Sequence, residues 1–365
     1  MSATVADWQR ILDGLFPPDL AEAWDNVGLQ VGDRSWEAGR VLVALDPTPG
    51  VIGEAIGDGC GLLVTHHPLL FRSLDRLDLG EPVGRAIGEA VSARLAVFAC
   101  HSNADAARPG VTDALAEALD LRVTGVLRPS HPEERVKLVT FVPPEATSKV
   151  LDAVALSGAG EIGEYTHCSF RVRGAGTFLP SERAHPAVGE RGELTEVQED
   201  RVEVVLPLER LSPVVQALRT AHPYEEVAYD VYPLVGGDGL GPGRVAEPAG
   251  ELAASALAER SRERLGGVVR TAGPLDRPVT RVALCGGAGA SLIPDAMAME
   301  ADVMITGDVK HHQALEAAAA GLTVIDAGHH GTEWPFVRAL AGVLSASMPD
   351  ATVSVSETPT DPFAA

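Results

Sequence analysis

Short apolar runs recur along both ends of this chain, separated by amphipathic stretches of helical length. Residues 41–45, 62–65, 96–99, 281–285, 302–306, 322–326 and 351–355 read as strands, most of them apolar throughout. Residues 50–58, 81–94, 111–119, 251–265, 311–320 and 334–344 read as helices between them. A further amphipathic helix over 3–16 is stopped by Pro17 and Pro18. Strands alternating with helices predict a mainly parallel sheet covered on both faces, with ligands gathered at the carboxyl ends of its strands.

The middle of the chain has another texture. Strands at 136–142, 170–172, 201–206 and 227–234 combine with helices at 146–156 and 211–221 and a Gly/Pro/Glu-rich loop at 180–195. This is β-α-β-β-α-β, the ferredoxin-like order. Residues 236–250 read as a linker rich in Gly and Pro. The expected fold class is therefore α/β. A discontinuous domain of residues 1–126 and 245–365 is interrupted by an inserted ferredoxin-like domain, linker included, over 127–244.

Composition narrows the setting. With 365 residues, 45% of them hydrophobic, the chain is long enough for two well-buried domains. No apolar run approaches a membrane span, and the N-terminus lacks the basic-then-apolar pattern of a signal peptide, so no membrane association is expected. The four cysteines (60, 100, 168 and 285) are scattered, which argues against a cysteine zinc site or a disulfide framework and for a reduced, cytoplasmic setting. Lys and Arg number 29 against 51 Asp and Glu, a net charge of −22. Such a surface repels nucleic acid, but bound divalent cations reverse the local field and leave a small anionic substrate open.

The chemistry concentrates at strand ends. His66 and His67 close the strand at 62–65, immediately before Pro68, which cannot donate to a ladder. Asp105 follows the strand at 96–99, and His329 and Glu333 lie four apart at the start of a helix, a spacing that shares one face. Imidazole and carboxylate together form the ligand set of a zinc, manganese or iron site. A carboxylate such as Glu333 can bridge two ions roughly 3.5–4 Å apart.

Neighbouring groups have two readings each. His101 lines the same pocket or is a hydrogen-bonded strand-end histidine. Asp308 orients a ligating histidine from behind or caps the following helix. His330, beside His329, supports the site or points about a quarter-turn away. His311 and His312 read better as a helix-surface pair than as a second metal pair. Asp25 and Asn26 touch the site or form an Asx turn. The glycine-rich 286–291 stretch is a tight strand–helix turn or a weak phosphate cradle. His222 serves packing or an interface rather than chemistry.

The segments Thr65-His66-His67-Pro68-Leu69, His101-Ser102-Asn103-Ala104-Asp105, Thr306-Gly307-Asp308 and Gly328-His329-His330-Gly331-Thr332-Glu333 resemble the dinuclear-metal-centre hexamer family. Its members are also described as GTP cyclohydrolase 1 type 2 homologues or Ngg-interacting-factor-three-like proteins. Trp24-Asp25-Asn26-Val27-Gly28-Leu29 resembles that family's N-terminal signature. Ala221-His222-Pro223-Tyr224-Glu225-Glu226 is similar to the signature of the PII- and CutA-like insertion of its long bacterial form.

The resemblance implies two divalent ions per chain, held by His66, His67, Asp105, His329 and Glu333. His67 and Asp105 would hold one ion, His66 and His329 the other, with Glu333 on both. It also implies a homo-hexamer. For function it implies a metal-dependent hydrolase that acts on a nucleotide-like substrate through a metal-activated water. In the family name that reaction is opening of the guanine imidazole ring of GTP with release of formate. No residue is assigned the catalytic role from sequence. The alternative is a non-enzymatic metal-binding scaffold, metallochaperone or regulator.

Overall fold

The computed structural model describes residues 3–129, 135–162, 165–234 and 239–363, so residues 236–238 of the expected linker lie outside it. The chain divides into two units, Met1–Ser130 with Gly239–Ala365, and His131–Asp238. The strands before the insertion are β1 (Gly28–Val31), β2 (Arg40–Ala44), β3 (Leu62–Thr65), β4 (Ala96–Ala99) and β5 (Leu121–Val126). Within it lie β6 (Arg135–Val142), β7 (Phe170–Phe178), β8 (Thr195–Pro207) and β9 (Tyr229–Pro233). After it come β10 (Arg244–Pro248), β11 (Arg270–Ala272), β12 (Val282–Leu284), β13 (Val303–Thr306), β14 (Thr323–Asp326) and β15 (Thr352–Val355).

The α/β unit holds two sheets where the alternation suggested one. The first has the order β1-β4-β3-β2-β15, parallel except where β1 meets β4. The second has the order β11-β14-β13-β12-β10-β5 and is parallel only across β12, β13 and β14. The strands missed from sequence, β1, β5, β10 and β11, are the ones paired antiparallel. They are short or carry polar residues, so they lack the continuous apolar run of a doubly covered parallel strand. β10 lay inside the expected linker. Its residues Arg244, Val245 and Ala246 are buried between β12 and β5. The unit boundaries, after Ser130 and before Gly239, consequently lie inside the expected insertion of 127–244. Leu127 and Arg128 N–H groups still bond Gly243 and Pro242 carbonyls, each at 3.2 Å.

One helix joins the chemistry of the two sheets. Val41, Val43, Leu62, Val64 and Phe98 face one side of the first sheet, and Leu42, Ala44, Leu63 and Val97 face the other, the two-residue alternation of a strand. The helix His329–Ser347 starts where β14 of the second sheet ends. It then lays Phe336, Val337, Leu340 and Leu344 into the first sheet's core, beside Trp8 and Leu12. Burial of each such side chain stabilises the fold by about 1.5–3 kcal/mol. The helix Val5–Leu15 completes that layer, its N-terminus closed by a reciprocal capping box between Thr4 and Asp7.

The inserted unit has the element order β-α-β-β-α-β, with helices Thr147–Leu156 and Leu211–Ala221. Its sheet order is β7-β8-β6-β9, antiparallel throughout. β6 and β8 direct Val136, Leu138, Val202, Val204 and Leu206 to a core completed by Val150, Val154, Val214 and Leu218 of the helices. β7 and β8 extend beyond the expected 170–172 and 201–206 to form a long hairpin. No helix among the described residues is long and apolar enough to cross a membrane, and Cys60, Cys100, Cys168 and Cys285 are free thiols.

Candidate metal centre

The pairing of β3 with β2 runs one step past the strand, since His67 N–H bonds Leu45 O at 2.9 Å, and it ends at Pro68. His66 turns into the protein and is only 1% exposed, while His67 stays half-buried on the other side of the chain. Asp105 sits on the short helix Ser102–Ala106 that follows β4. His329 and Glu333 occupy one face of the first turns of the helix His329–Ser347, which starts five residues earlier than its apolar pattern suggested. Gly328 precedes it at φ 78°, a left-handed conformation that a side chain would strain.

Four imidazoles are oriented by the same device. The Nδ1–H of His66 donates to the Cys100 carbonyl at 2.8 Å. The Nδ1 atoms of His67, His101 and His329 bond carboxylates of Asp46, Asp25 and Asp308 at 2.7, 2.9 and 2.7 Å. A carbonyl or carboxylate only accepts, so each ring carries a proton on Nδ1 and turns Nε2 away from that partner, the atom that a cation would take. This is how metal-ligating histidines are commonly held. Asp308 therefore orients His329, and the cap of the following helix is Lys310. Asp25 also accepts from Ser102 N–H and Oγ at 3.0 and 2.5 Å and from the adjacent Asn26 N–H at 2.8 Å, so it touches the site through His101 and Ser102. Asp46 was missed from sequence. The available signal was a carboxylate just beyond buried β2, the strand paired with β3.

The acceptors converge on one another. His67 Nε2 and His329 Nε2 lie 3.2 Å apart, and Glu333 Oε2 lies 3.1 Å from the first and 3.2 Å from the second. The other Glu333 oxygen is 3.4 Å from His66 Nε2, which is 3.8 Å from Asp105 Oδ1. The grouping differs from the division implied by resemblance: His67 faces His329, and His66 faces Asp105. The donor atoms of His66, His67 and His101 also fall within 4.8 Å of one another. His66 Nε2 and Glu333 Oε2 are buried with no aligned hydrogen bond. Lone pairs facing lone pairs at such distances repel unless positive charge lies among them, so these residues fit cations.

The titration behaviour has the same cause. Burial opposes the charged form of His67, but Asp46 and Glu333 outweigh it and push its pKa up to about 10. Glu333 raises His329 to about 9 against its burial. His66 is raised too, burial being overcome by Glu333 and Asp105. Burial would lift Glu333, yet the surrounding imidazoles hold it well below the ordinary carboxylate value. Desolvation raises Asp105, only partly offset by His66. The histidines are thus pushed toward their charged form and Asp105 toward its neutral one, while Glu333 stays ionised among the imidazoles.

Other candidates fall elsewhere. His330 stacks on Trp334 with ring centroids 5.2 Å apart and does not join the donors. His311 and His312 contact each other at 5.3 Å at the start of their helix. The glycine-rich stretch is a tight turn packed against the site. A Cβ on Gly287 would lie 2.1 Å from Glu333 Oε1. Gly287 and Gly289 N–H groups donate to Thr332 and Thr306 hydroxyls, each at 2.9 Å, so neither is free for a phosphate. The opening of the site lies on the side of Asp105 and His329, whose side chains are partly exposed.

A family model described as Duf34/NIF3 (NGG1p interacting factor 3) matches residues 3–362. A Mycobacterium bovis protein named GTP cyclohydrolase 1 type 2 homolog is 41% identical over 373 residues, covering 100% of this chain and 97% of its own length. The Bacillus subtilis protein of the same name is 38% identical, over 97% of this chain and 96% of its own. Among solved structures, a Bacillus cereus protein related to NIF3 superposes with a TM-score of 0.70 at 36% identity, covering 100% of this chain and 99% of that one.

Proposed function

This chain belongs to the Duf34/NIF3 family, and from that premise we propose that its cluster is a dinuclear metal centre that hydrolyses a nucleotide-like substrate. The observation that carries the reading is the convergence of His67 Nε2, His329 Nε2 and Glu333 Oε2 within 3.1–3.2 Å of one another. His67 and His329 would hold one ion and His66 and Asp105 the other, with Glu333 close to both groups. When bound, such ions supply Lewis acidity and lower the pKa of a water to the neutral range.

The chain's own residues do the rest. Asp46, Asp308 and the Cys100 carbonyl lock the three ligating rings, so no rotamer freedom is lost on loading. Buried Glu333 keeps a charged carboxylate where water cannot screen it. His101, held through Nδ1 by Asp25, has Nε2 free to take a proton from the attacking water's side and return it to the leaving group. The partly exposed side at His329 and Asp105 admits the ligand. The relatives' name, GTP cyclohydrolase 1 type 2 homolog, supports a purine nucleotide among the candidates.

The test is elemental analysis of the purified protein, followed by turnover assays on GTP, other nucleotides and phosphoesters. Turnover is expected to stop with a chelator, return with Mn²⁺ or Zn²⁺, and vanish in His66→Ala while the circular dichroism spectrum stays unchanged. Activity persisting in metal-free protein would overturn the reading, and inert, fully loaded protein would favour metal holding or carriage. We also propose a homo-hexamer, on family resemblance, with a mass of about 229 kDa from a 38.1 kDa chain. Light scattering showing only monomer at micromolar concentration would refute it.

A further inference from the structure

Two aromatic side chains stand in solvent beside the cluster, and nothing in the metal chemistry uses them. Trp24 is 61% exposed and Phe71 is 53% exposed. Their rings meet edge to face, with centroids 6.0 Å apart. Each also contacts the His101 ring, at 6.0 and 6.3 Å, and His101 in turn lies 5.2 Å from His66 and 5.6 Å from His67. The indole is thus one imidazole away from the converging acceptors.

The corner is built rather than incidental. Asn26 Nδ2 donates to the Leu70 carbonyl at 2.7 Å, and Gln30 Oε1 accepts from Leu70 N–H at 2.8 Å, which ties the turn bearing Phe71 to the segment bearing Trp24. Asp25, next to Trp24, bonds both His101 and Ser102. Both rings are therefore positioned before any ligand arrives, which reduces the ordering cost of binding. An edge-to-face pair offers one open face and one side wall, the shape that receives a single planar ring.

We propose that Trp24 and Phe71 form the subsite for a planar heteroaromatic ring, a nucleobase, whose phosphate-bearing end reaches the metal centre; this rests on the metal-centre reading above. The charge of the chain supplies the physical reason for such a subsite. At a net charge of −22 the chain's overall field opposes an anion, and bound cations would reverse it locally. Stacking of an uncharged base adds affinity that this repulsion does not cancel, and it is tolerant of which base is present. The subsite accordingly selects nucleotides from sugar phosphates rather than one base from another.

The test uses full-length protein as purified, with its metal content measured, and two probes: guanosine 5′-monophosphate and ribose 5-phosphate, titrated by calorimetry. The nucleotide is expected to bind at least about tenfold more tightly than the sugar phosphate and to quench tryptophan emission. Trp24→Ala is expected to remove that tenfold gap by weakening the nucleotide alone, Trp24→Phe to retain most of it, and neither to change metal content. Equal binding of the two probes to wild type would overturn the proposal and leave the metal-centre reading standing, as would equal weakening of both by Trp24→Ala. So would loss of metal in that variant, or a change of assembly mass with the nucleotide affinity unchanged, which would mark the aromatic corner as a contact between copies. Failure of wild type to bind either probe would count against both readings.

Discussion

His66 and His222 are both buried, yet the two units treat them oppositely. In the inserted unit, His222 donates from Nε2 to the Phe141 carbonyl at 3.0 Å and accepts the Tyr224 N–H at Nδ1 at 3.1 Å. Both nitrogens are used, and burial holds its pKa below the ordinary value. In the α/β unit, His66 uses Nδ1 alone and points an unpaired Nε2 at carboxylates. The same contrast separates Arg244 from Glu333. Arg244 is fully buried but bonds Asp113 and the carbonyls of Ala107, Gly241 and Gly243, whereas Glu333 Oε2 has no aligned donor. Burial of a polar group says little about function; unused bonding capacity that several buried groups direct at one point says much more.

The strongest way to break the comparison is Glu333→Ala, which removes the carboxylate that faces His66, His67 and His329 together. Its expected effect is loss of both ions to background in elemental analysis, with the fold retained; full occupancy in this variant would show that the convergence does not bind metal. Arg244→Met tests the satisfied side. It deprives Asp113 of its buried cation, leaving it the Gly110 N–H, and removes the donor to three carbonyls; an expected loss of about 3–5 kcal/mol should be read by denaturant unfolding followed through tryptophan emission. All four tryptophans lie in the α/β unit and all four tyrosines in the insertion, so the two signals report the two units separately.

Smaller effects sharpen the contrast. Asp308→Ala and Asp46→Ala free the Nδ1 of a ligating ring without deleting a ligand. Each is expected to weaken metal retention about 10–100-fold in chelator competition, and unchanged retention would show that the carboxylates serve only the loops. His222→Ala should destabilise the inserted unit by about 1–3 kcal/mol in tyrosine absorbance while leaving metal content alone. A depressed histidine pKa means that the unfolded chain binds more protons than the fold. The stability that neutral His222 contributes is therefore present above its unfolded pKa, near the ordinary 6.5, and declines as pH falls below it. His222→Gln, which keeps a donor and an acceptor but does not titrate, should flatten that dependence; an unchanged slope would remove His222 as its source.

The parallel strands and the helices covering them were legible because a strand buried on both faces is apolar at every position, as β2, β3, β4, β13 and β14 nearly are. The candidate positions His66, His67, Asp105, His329 and Glu333 were named from motif resemblance and from residue types at strand ends, and the structure brings their side chains together. Antiparallel β5 and β11 were not legible, since edge strands mix polar and apolar residues and lose the run that announces a strand; β10 is internal, but its Arg244, Glu247 and Pro248 interrupt any apolar run. Asp46 was not legible either, because one carboxylate after a strand is common and only its 2.7 Å bond to His67 gives it a role.

Sequence by itself determined which residue types were available: imidazoles and carboxylates at strand ends, a four-residue step from His329 to Glu333, and no cysteine among them. Those are local properties, set by strand periodicity, the helical repeat and proline's missing donor. Only the tertiary structure decided which donors face which. The helix His329–Ser347 leaves the second sheet and packs its apolar face on the first, and that carries Glu333 into contact with His66 and His67, more than 260 residues earlier in the chain. Such a meeting is set by the packing of two sheets through one helix, which no pattern within a single element encodes.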